Sequence, residues 1–332
     1  MRVLAAVDKF RGTATAGQVA RAIADACWTT GHECVEMPLA DGGEGTLDVL
    51  GGPNRTLRVE GPLGAPVDAP WRLHRGTAVI EMALASGLQL VGGAEHNDPL
   101  AASTVGTGQL IDAALNLGAE RIIVCVGGSA TTDGGLGAVQ AVSTPARLKR
   151  VEFVVACDVD TLFLDAANVF APQKGATAAQ VKFLSSRLAG TAEHFRKRFD
   201  VDVTKVVGGG AAGGLAGGLH AIGAQLVPGF SLVAEECGFY EASVECDVIV
   251  TGEGRLDDTS FSGKVVGSVV QFARRHDKRV VVICGDVAPE GKRMASQSGA
   301  EVVSLREQFG DDAMNFTERC VREAAERALA TA

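Results

Sequence analysis

Carboxylates recur where apolar, β-rich runs of this chain stop. Asp8 follows Val3–Val7, Asp41 and Glu44 follow Glu33–Leu39, and Asp133 lies just beyond Ile122–Val126. Asp158 follows Phe153–Cys157, Glu253 and Asp257 follow Asp247–Val250, and Asp286 follows Arg279–Cys284. Ligands of open α/β sheets bind outside the carboxyl ends of the strands, so these acids are expected to converge on one cleft. Acids gathered in a cleft repel one another unless a proton or a cation resolves them, and Mg²⁺, with its preference for oxygen, does so naturally. Asp and Asn favour strand ends and helix caps for local reasons too. What exceeds that local preference is its repetition at nearly every strand. Lys9, Arg11, Lys174, Arg255 and Lys264 are interleaved with the acids. A set that takes both anions and a divalent metal is what phosphoryl transfer requires.

The segment Arg121–Gly135, RIIVCVGGSATTDGG, is the most punctuated part of the chain. An apolar run breaks at Gly127-Gly128, passes through Ser129, Thr131 and Asp133, and ends on a second glycine pair. This is the layout of a strand running into a ligand loop, where glycines admit a ligand and consecutive N–H groups cradle an anion. A helix expected over Gly134–Ala141 would add positive potential at its N-terminus.

The elements that must hold these residues follow from periodicity. Strand Val3–Val7, an amphipathic helix over Thr15–Cys27, strand Glu33–Leu39 and a helix from Thr46 make a βαβα opening, which implies parallel strands with crossover helices. From Thr56 the texture changes to short alternating runs, Thr56–Val59, Val67–Leu73 and Thr77–Ala83, read as antiparallel strands. The parallel texture returns near Cys246. The expected fold class is therefore α/β with two domains. Residues 1–60 and 245–332 form one parallel-sheet domain from both chain ends, and 61–244 form an inserted mixed α/β domain.

Composition narrows the partners. At 332 residues, with 46% hydrophobic and 21% charged residues, the chain has ample core for two domains. A net charge of −9 argues against nucleic acid or an anionic membrane surface. No apolar stretch approaches the roughly 18–20 residues that span a bilayer. The eight cysteines form no C-x-x-C pair and the six histidines no ligand cluster, so a reducing, cytoplasmic setting is expected. G-x-x-x-x-G-K-[ST] is absent. A G-x-G-x-x-G match at Gly208, Gly210 and Gly213, read as following a strand, supports a rival NAD(P)-dependent oxidoreductase of small hydroxy acids. Glycine-rich composition alone would produce that match.

Several long segments in fixed order resemble the type I glycerate kinases over nearly the whole chain. They are Asp8-Lys9-Phe10-Arg11-Gly12, Leu39–Thr46 (LADGGEGT), Ile80–Ala83 with Ser86-Gly87-Leu88, Gly106–Ile111, Gly127–Gly135, Asp158, Pro172–Ala176, the glycine-rich run to Leu215, and Thr251–Asp257 with Ser262-Gly263-Lys264. The departures are Arg11 for Lys, Gln109 for Glu, Thr132 for Asn, a short stretch between Val142 and Val151, and Val159–Leu162 after Asp158. The resemblance implies a flavodoxin-like domain with an inserted α/β domain and an active site in the cleft between them. It implies ATP-dependent phosphorylation of D-glycerate to 2- or 3-phosphoglycerate with Mg²⁺. The chain would be a monomer or homodimer. A non-catalytic sugar-acid or nucleotide sensor on the same fold is the remaining alternative.

Within that frame Asp8, Asp41, Asp133, Asp158 and Lys174 are the catalytic candidates, with Asp41 and Asp158 also the metal ligands. Gly127, Gly128, Ser129, Thr131, Gly210, Gly213, Glu253 and Lys264 are the nucleotide-binding candidates. Arg11, Glu44, Glu81, Arg255 and Asp257 are expected at the acceptor. Carboxylate base and metal ligand are not separated by sequence.

Overall fold

The computed structural model describes residues 1–330 and divides into two compact units. One combines Met1–Asp41 with the chain from Phe230 onward, and the other is the uninterrupted stretch Gly42–Gly229. Strands β1 (Arg2–Val7) and β2 (Glu33–Pro38) open the chain. Strands β3 (Arg55–Glu60), β4 (Pro66–His74), β5 (Thr77–Glu81), β6 (Arg121–Cys125), β7 (Glu152–Ala156) and β8 (Gln225–Val227) belong to the second unit. Strands β9 (Val248–Leu256), β10 (Arg279–Val287) and β11 (Glu301–Ser304) return to the first.

The first unit has a five-stranded sheet in the order β11-β10-β9-β1-β2, parallel throughout. Counted within the unit, that is the 2-1-3-4-5 order of flavodoxin-like folds, whose topological switch point falls between β1 and β9. Val3–Val7 are all buried, as a strand covered on both faces must be. Val19, Ile23 and Cys27 of helix Ala16–Thr29 and Val321 and Ala324 of helix Thr317–Ala330 join Val3, Ala5, Val250 and Ile283 in one core. The first of these helices starts where a capping box dictates. Thr15 Oγ1 accepts the Gln18 amide at 3.2 Å while Gln18 Oε1 accepts the Thr15 amide at 2.9 Å. The last helix, Thr317–Ala330, is preceded by a separate short helix, Asp312–Asn315.

The second unit has a six-stranded sheet in the order β3-β4-β5-β6-β7-β8. Strands β3, β4 and β5 pair antiparallel, as the alternating texture predicts. On its other edge, however, β5 pairs parallel with β6, and β6, β7 and β8 continue in parallel. The carboxyl ends of β5 through β8 therefore lie along one edge of this sheet. Two further expectations are corrected. Gly134 and Gly135 have φ of 69° and 74°, so the helix starts only at Leu136. The segment before the glycine-rich run is a 3₁₀ turn, Val203–Lys205, and not a strand.

Candidate functional site

In the first unit the switch point is acidic. Asp8 follows β1, Glu253 lies on the adjacent β9, and the Asp8 amide donates to the Gly252 carbonyl at 2.9 Å. Burial pushes the Asp8 carboxyl up to about 6; Lys9 pulls it down, and the charge of nearby Asp41 pushes it further up. Asp8 Oδ1 accepts the Lys9 amide at 2.7 Å, with Lys9 Nζ at 3.5 Å. Burial also raises Glu253, to about 7, against Ser260 and Lys264, with Asp8 and Asp257 adding to the rise. Glu253 Oε1 and the neighbouring Thr251 Oγ1 are buried with no hydrogen-bond partner among the described residues. A buried orphan acceptor is costly unless a ligand or water meets it.

The adjoining turn is built by Asp257, whose Oδ1 accepts the Thr259 amide at 2.9 Å and its hydroxyl at 2.7 Å. Thr259 Oγ1 in turn accepts Lys264 Nζ at 2.7 Å, and Lys264 heads helix Val265–Arg275. Asp257 is thus tied up as the cap of its turn. Arg11 and Arg255 are exposed, and Asp41 is half-buried.

In the second unit the parallel edge is roofed by Gly42–Gly45. A Cβ on Gly42 would come within 2.7 Å of Ala156 Cβ and 2.8 Å of Gly229 Cα, and one on Gly127 within 2.9 Å of Gly43 Cα. Only glycine permits that approach. Glu81, buried at the end of β5, holds the roof in place. Its two oxygens accept the Gly45 amide at 3.0 and 3.1 Å, and Oε2 also accepts the Leu47 amide at 3.2 Å. Asp158 Oδ1 accepts the Gly229 amide at 2.7 Å. Glu44 stays exposed on the roof.

The Gly127–Gly135 loop divides sharply. Gly127 is half-buried and Gly128 exposed, whereas Ser129–Gly135 are buried. Asp133 is consumed inside this knot. Its Oδ2 accepts the Thr104 amide at 3.0 Å, the Thr104 hydroxyl at 2.7 Å and the Gly137 amide at 3.2 Å; its Oδ1 accepts the Gly135 amide at 3.0 Å. With its lone pairs occupied, Asp133 folds the loop rather than facing a ligand. Asp133→Asn, which turns half of these acceptors into a donor, is expected to cost about 1–3 kcal/mol of stability, read from urea unfolding. Lys174 Nζ donates to Thr131 O at 2.6 Å and to Ser129 Oγ at 3.4 Å. Thr104, Asn97 and Arg187, which also serve this loop, carried no sequence signal, because each acts alone from a distant turn or helix.

The glycine-rich run packs onto the same knot. Gly210 is buried and its amide donates to Thr161 O at 2.9 Å. Gly213, at φ 67°, lies so close that a Cβ there would overlap the Thr131 carbonyl. Neither glycine offers the open strand-to-helix turn that a dinucleotide needs, so the geometry removes the support for the oxidoreductase reading.

Three buried groups set a pH signature. Asp8 and Glu253 hold protons more tightly folded than unfolded, where the ordinary values are 3.8 and 4.5. Their stabilising contribution is complete below about pH 4 and is lost as pH rises to about 7. Lys174 runs opposite, since burial lowers its ammonium from 10.5 to about 7, so stability returns between pH 7 and 10. Urea unfolding of the ligand-free protein should thus show a dip near pH 7. Its acid side should flatten in the Asp8→Asn, Glu253→Gln double variant; an unchanged slope would locate the titration elsewhere.

Among the described residues no group of three or more His, Cys, Asp or Glu forms a ready metal cage, and no helix is long and apolar enough to cross a membrane. The family model described as "Glycerate kinase family" matches residues 3–146 and 142–332. Its two segments meet where the chain reads as short. Glycerate 2-kinase of Escherichia coli K12 is 37% identical, over 87% of this chain and 86% of its own length. Glycerate kinase of Bacillus subtilis 168 is 35% identical, over 98% of this chain and 97% of its own. A crystal structure assigned as glycerate kinase 2 of Salmonella typhimurium LT2 superposes with a TM-score of 0.83 at 34% identity, covering 100% of this chain and 98% of that one.

Proposed function

The chain belongs to the glycerate kinase family, and from that premise we propose how its residues carry out the ATP-dependent phosphorylation of glycerate. The acceptor is the 2-hydroxyl of D-glycerate, giving 2-phosphoglycerate. The observation that carries this reading is Asp8, a buried carboxylate at the switch point whose pKa near 6 suits proton transfer at neutral pH. Asp8 takes the hydroxyl proton as the oxygen attacks the γ-phosphorus, and ADP leaves with the β–γ bridging oxygen. Glu253, at about 7, holds a substrate hydroxyl through the oxygen that otherwise has no partner. Lys264, at the head of an eleven-residue helix, and exposed Arg255 and Arg11 meet phosphate and the glycerate carboxylate.

Mg²⁺ fits this residue set. It keeps several waters and needs only one or two carboxylates besides phosphate oxygens, so the lack of a three-ligand cage is no obstacle. Asp41, which raises its neighbour Asp8 by repulsion, would hold it, and the ion would neutralise charge on the transferring phosphoryl. Asp158, committed through Oδ1 to Gly229, supports the glycine edge instead. Gly127 and Gly128 are the part of their loop that reaches solvent, and they bind phosphate through backbone amides. The eight cysteines, none of them in a disulfide among the described residues, support a cytoplasmic setting.

The test is ADP release from ATP and Mg²⁺ with D-glycerate, L-glycerate, tartronate or no acceptor, followed by NMR of the product. Release dependent on D-glycerate, with phosphate on C2, is the expected result. Turnover with tartronate alone would reassign the acceptor, and phosphate on C3 would reassign the hydroxyl.

A further inference from the structure

Three consecutive carbonyls of the knot behind Gly127-Gly128 are each taken by a side chain from elsewhere in the second unit. Asn97 Nδ2 donates to Ala130 O at 3.0 Å, Lys174 Nζ to Thr131 O at 2.6 Å, and Arg187 Nη2 to Thr132 O at 2.8 Å. Two of the donors are tied to each other and the third is anchored separately. Asn97 Nδ2 also donates to the Lys174 carbonyl at 2.9 Å, and Arg187 Nη1 donates to Leu100 O at 2.6 Å. Two of the donors are cations, and Lys174 is only 4% exposed.

Such an arrangement is more than packing requires. A neutral donor would satisfy a carbonyl at far smaller desolvation cost than a buried ammonium. The loop already has its own ties in Asp133, Thr104 and the Gly134 amide, which donates to Gly213 O at 3.0 Å. What the ammonium adds is a positive charge held in a low-dielectric interior, on a carbonyl three residues past solvent-reaching Gly128, where its field on a bound anion is weakly screened. The charged groups facing it are few. Asp133 is the acid that acts on Lys174, and the same acid, with Asp98, acts on Arg187.

We propose that Lys174, backed by Asn97 and Arg187, is a positioning residue for nucleotide: it fixes the Gly127–Ser129 backbone and raises its affinity for phosphate from behind, without touching substrate. This rests on the kinase reading. It differs from a direct catalytic role because the ammonium's hydrogen bonds are spent on Thr131 and Ser129, deep in the knot.

The consequence is a split between binding and turnover. Lys174→Met keeps the length of the side chain and removes its charge. It should raise KM for MgATP about tenfold, leave KM for D-glycerate within twofold, and lower kcat by less than about threefold. Wild-type affinity for MgATP, read by calorimetry, should weaken severalfold between pH 6 and 8.5, where the ammonium loses its proton, and Lys174→Arg should abolish that dependence. A kcat loss above a hundredfold at unchanged KM for MgATP would overturn the proposal in favour of direct contact with the transferring group. Unchanged KM and an unchanged pH profile would overturn it in favour of a purely structural lysine. If Lys174→Met fails to fold, Lys174→Arg decides: equal wild-type affinity at both pH values overturns the proposal, and so does a pH dependence that survives in Lys174→Arg, as titration of Glu253 would cause. The kinase reading is checked separately by wild-type turnover of D-glycerate, so its failure is not confused with failure of the positioning role.

Discussion

Asp8→Asn should lower kcat by roughly 10²–10⁴-fold while leaving the melting temperature unchanged or raised. The two halves of that result have one cause. Asp8 is 8% exposed, and its ionised form is disfavoured by burial and by Asp41. A neutral amide of the same shape relieves both, so the fold loses nothing at neutral pH. Asn Oδ1 can still accept the Lys9 amide that Asp8 Oδ1 accepts at 2.7 Å, which keeps the local turn. What vanishes is the proton acceptor at the switch point. The measurement is steady-state ADP release beside thermal unfolding in the same buffer. Loss of activity together with a fall of many degrees would make Asp8 a structural residue. Retained activity would move the base to Glu253, the other switch-point carboxyl with a raised pKa.

Gly213→Ala is the substitution expected to damage the fold most. The backbone there is left-handed at φ 67°, inside a helix whose residues Ala212–Gly214 all depart from helical geometry. Any side chain at that φ costs about 1–2 kcal/mol, and forcing a methyl into packed backbone adds roughly 1–3 kcal/mol. The methyl would collide with the carbonyl of Thr131, which is also the acceptor of Lys174. A loss of about 2–5 kcal/mol, read from urea unfolding, is therefore expected, with nucleotide affinity falling in whatever fraction stays folded. By contrast Gly12→Ala, where nothing lies within 4 Å of the added carbon, carries only the cost of its positive φ. Equal losses at the two positions would show that packing on Thr131 contributes nothing.

Much of the first unit is legible in the sequence for a simple reason. The inner strands β1, β9 and β10, covered on both faces, carry unbroken apolar runs, and Asp8 and Glu253 announce where the runs of β1 and β9 stop, although the β9 strand itself continues to Leu256. The second unit resists reading because its surprises are matters of partnership. Thr77–Glu81 sits among the short alternating runs and is antiparallel toward β4, yet its own centre, Ala78–Ile80, is an unbroken buried apolar run that suits the parallel ladder with β6 without naming that partner. The segment Ser129–Asp133 looks solvent-facing because its side chains are polar. Small hydroxyls and one carboxylate are nonetheless readily buried once backbone groups meet them, as Thr104 and the Gly135 and Gly137 amides meet Asp133. Asn97 and Arg187 lie 33 and 55 residues from their carbonyl partners, a distance no local pattern bridges.

The pairing of β1 with β9 sets the order in which the molecule can be made. Val3 lies opposite Val248 in that ladder. At roughly 5–20 residues per second of synthesis, β1 waits on the order of 10–50 s for its inner neighbour to leave the ribosome. The stretch Gly42–Gly229 is continuous and holds its whole six-stranded sheet, so it can fold during that wait. Until β9 emerges, the apolar strand Val3–Val7 is exposed at an open ladder, the state in which a nascent chain aggregates or engages a chaperone. Truncation before Val248 should therefore leave a soluble core tethered to a sticky N-terminal arm, while slower translation lengthens the exposure of that arm without altering the finished enzyme.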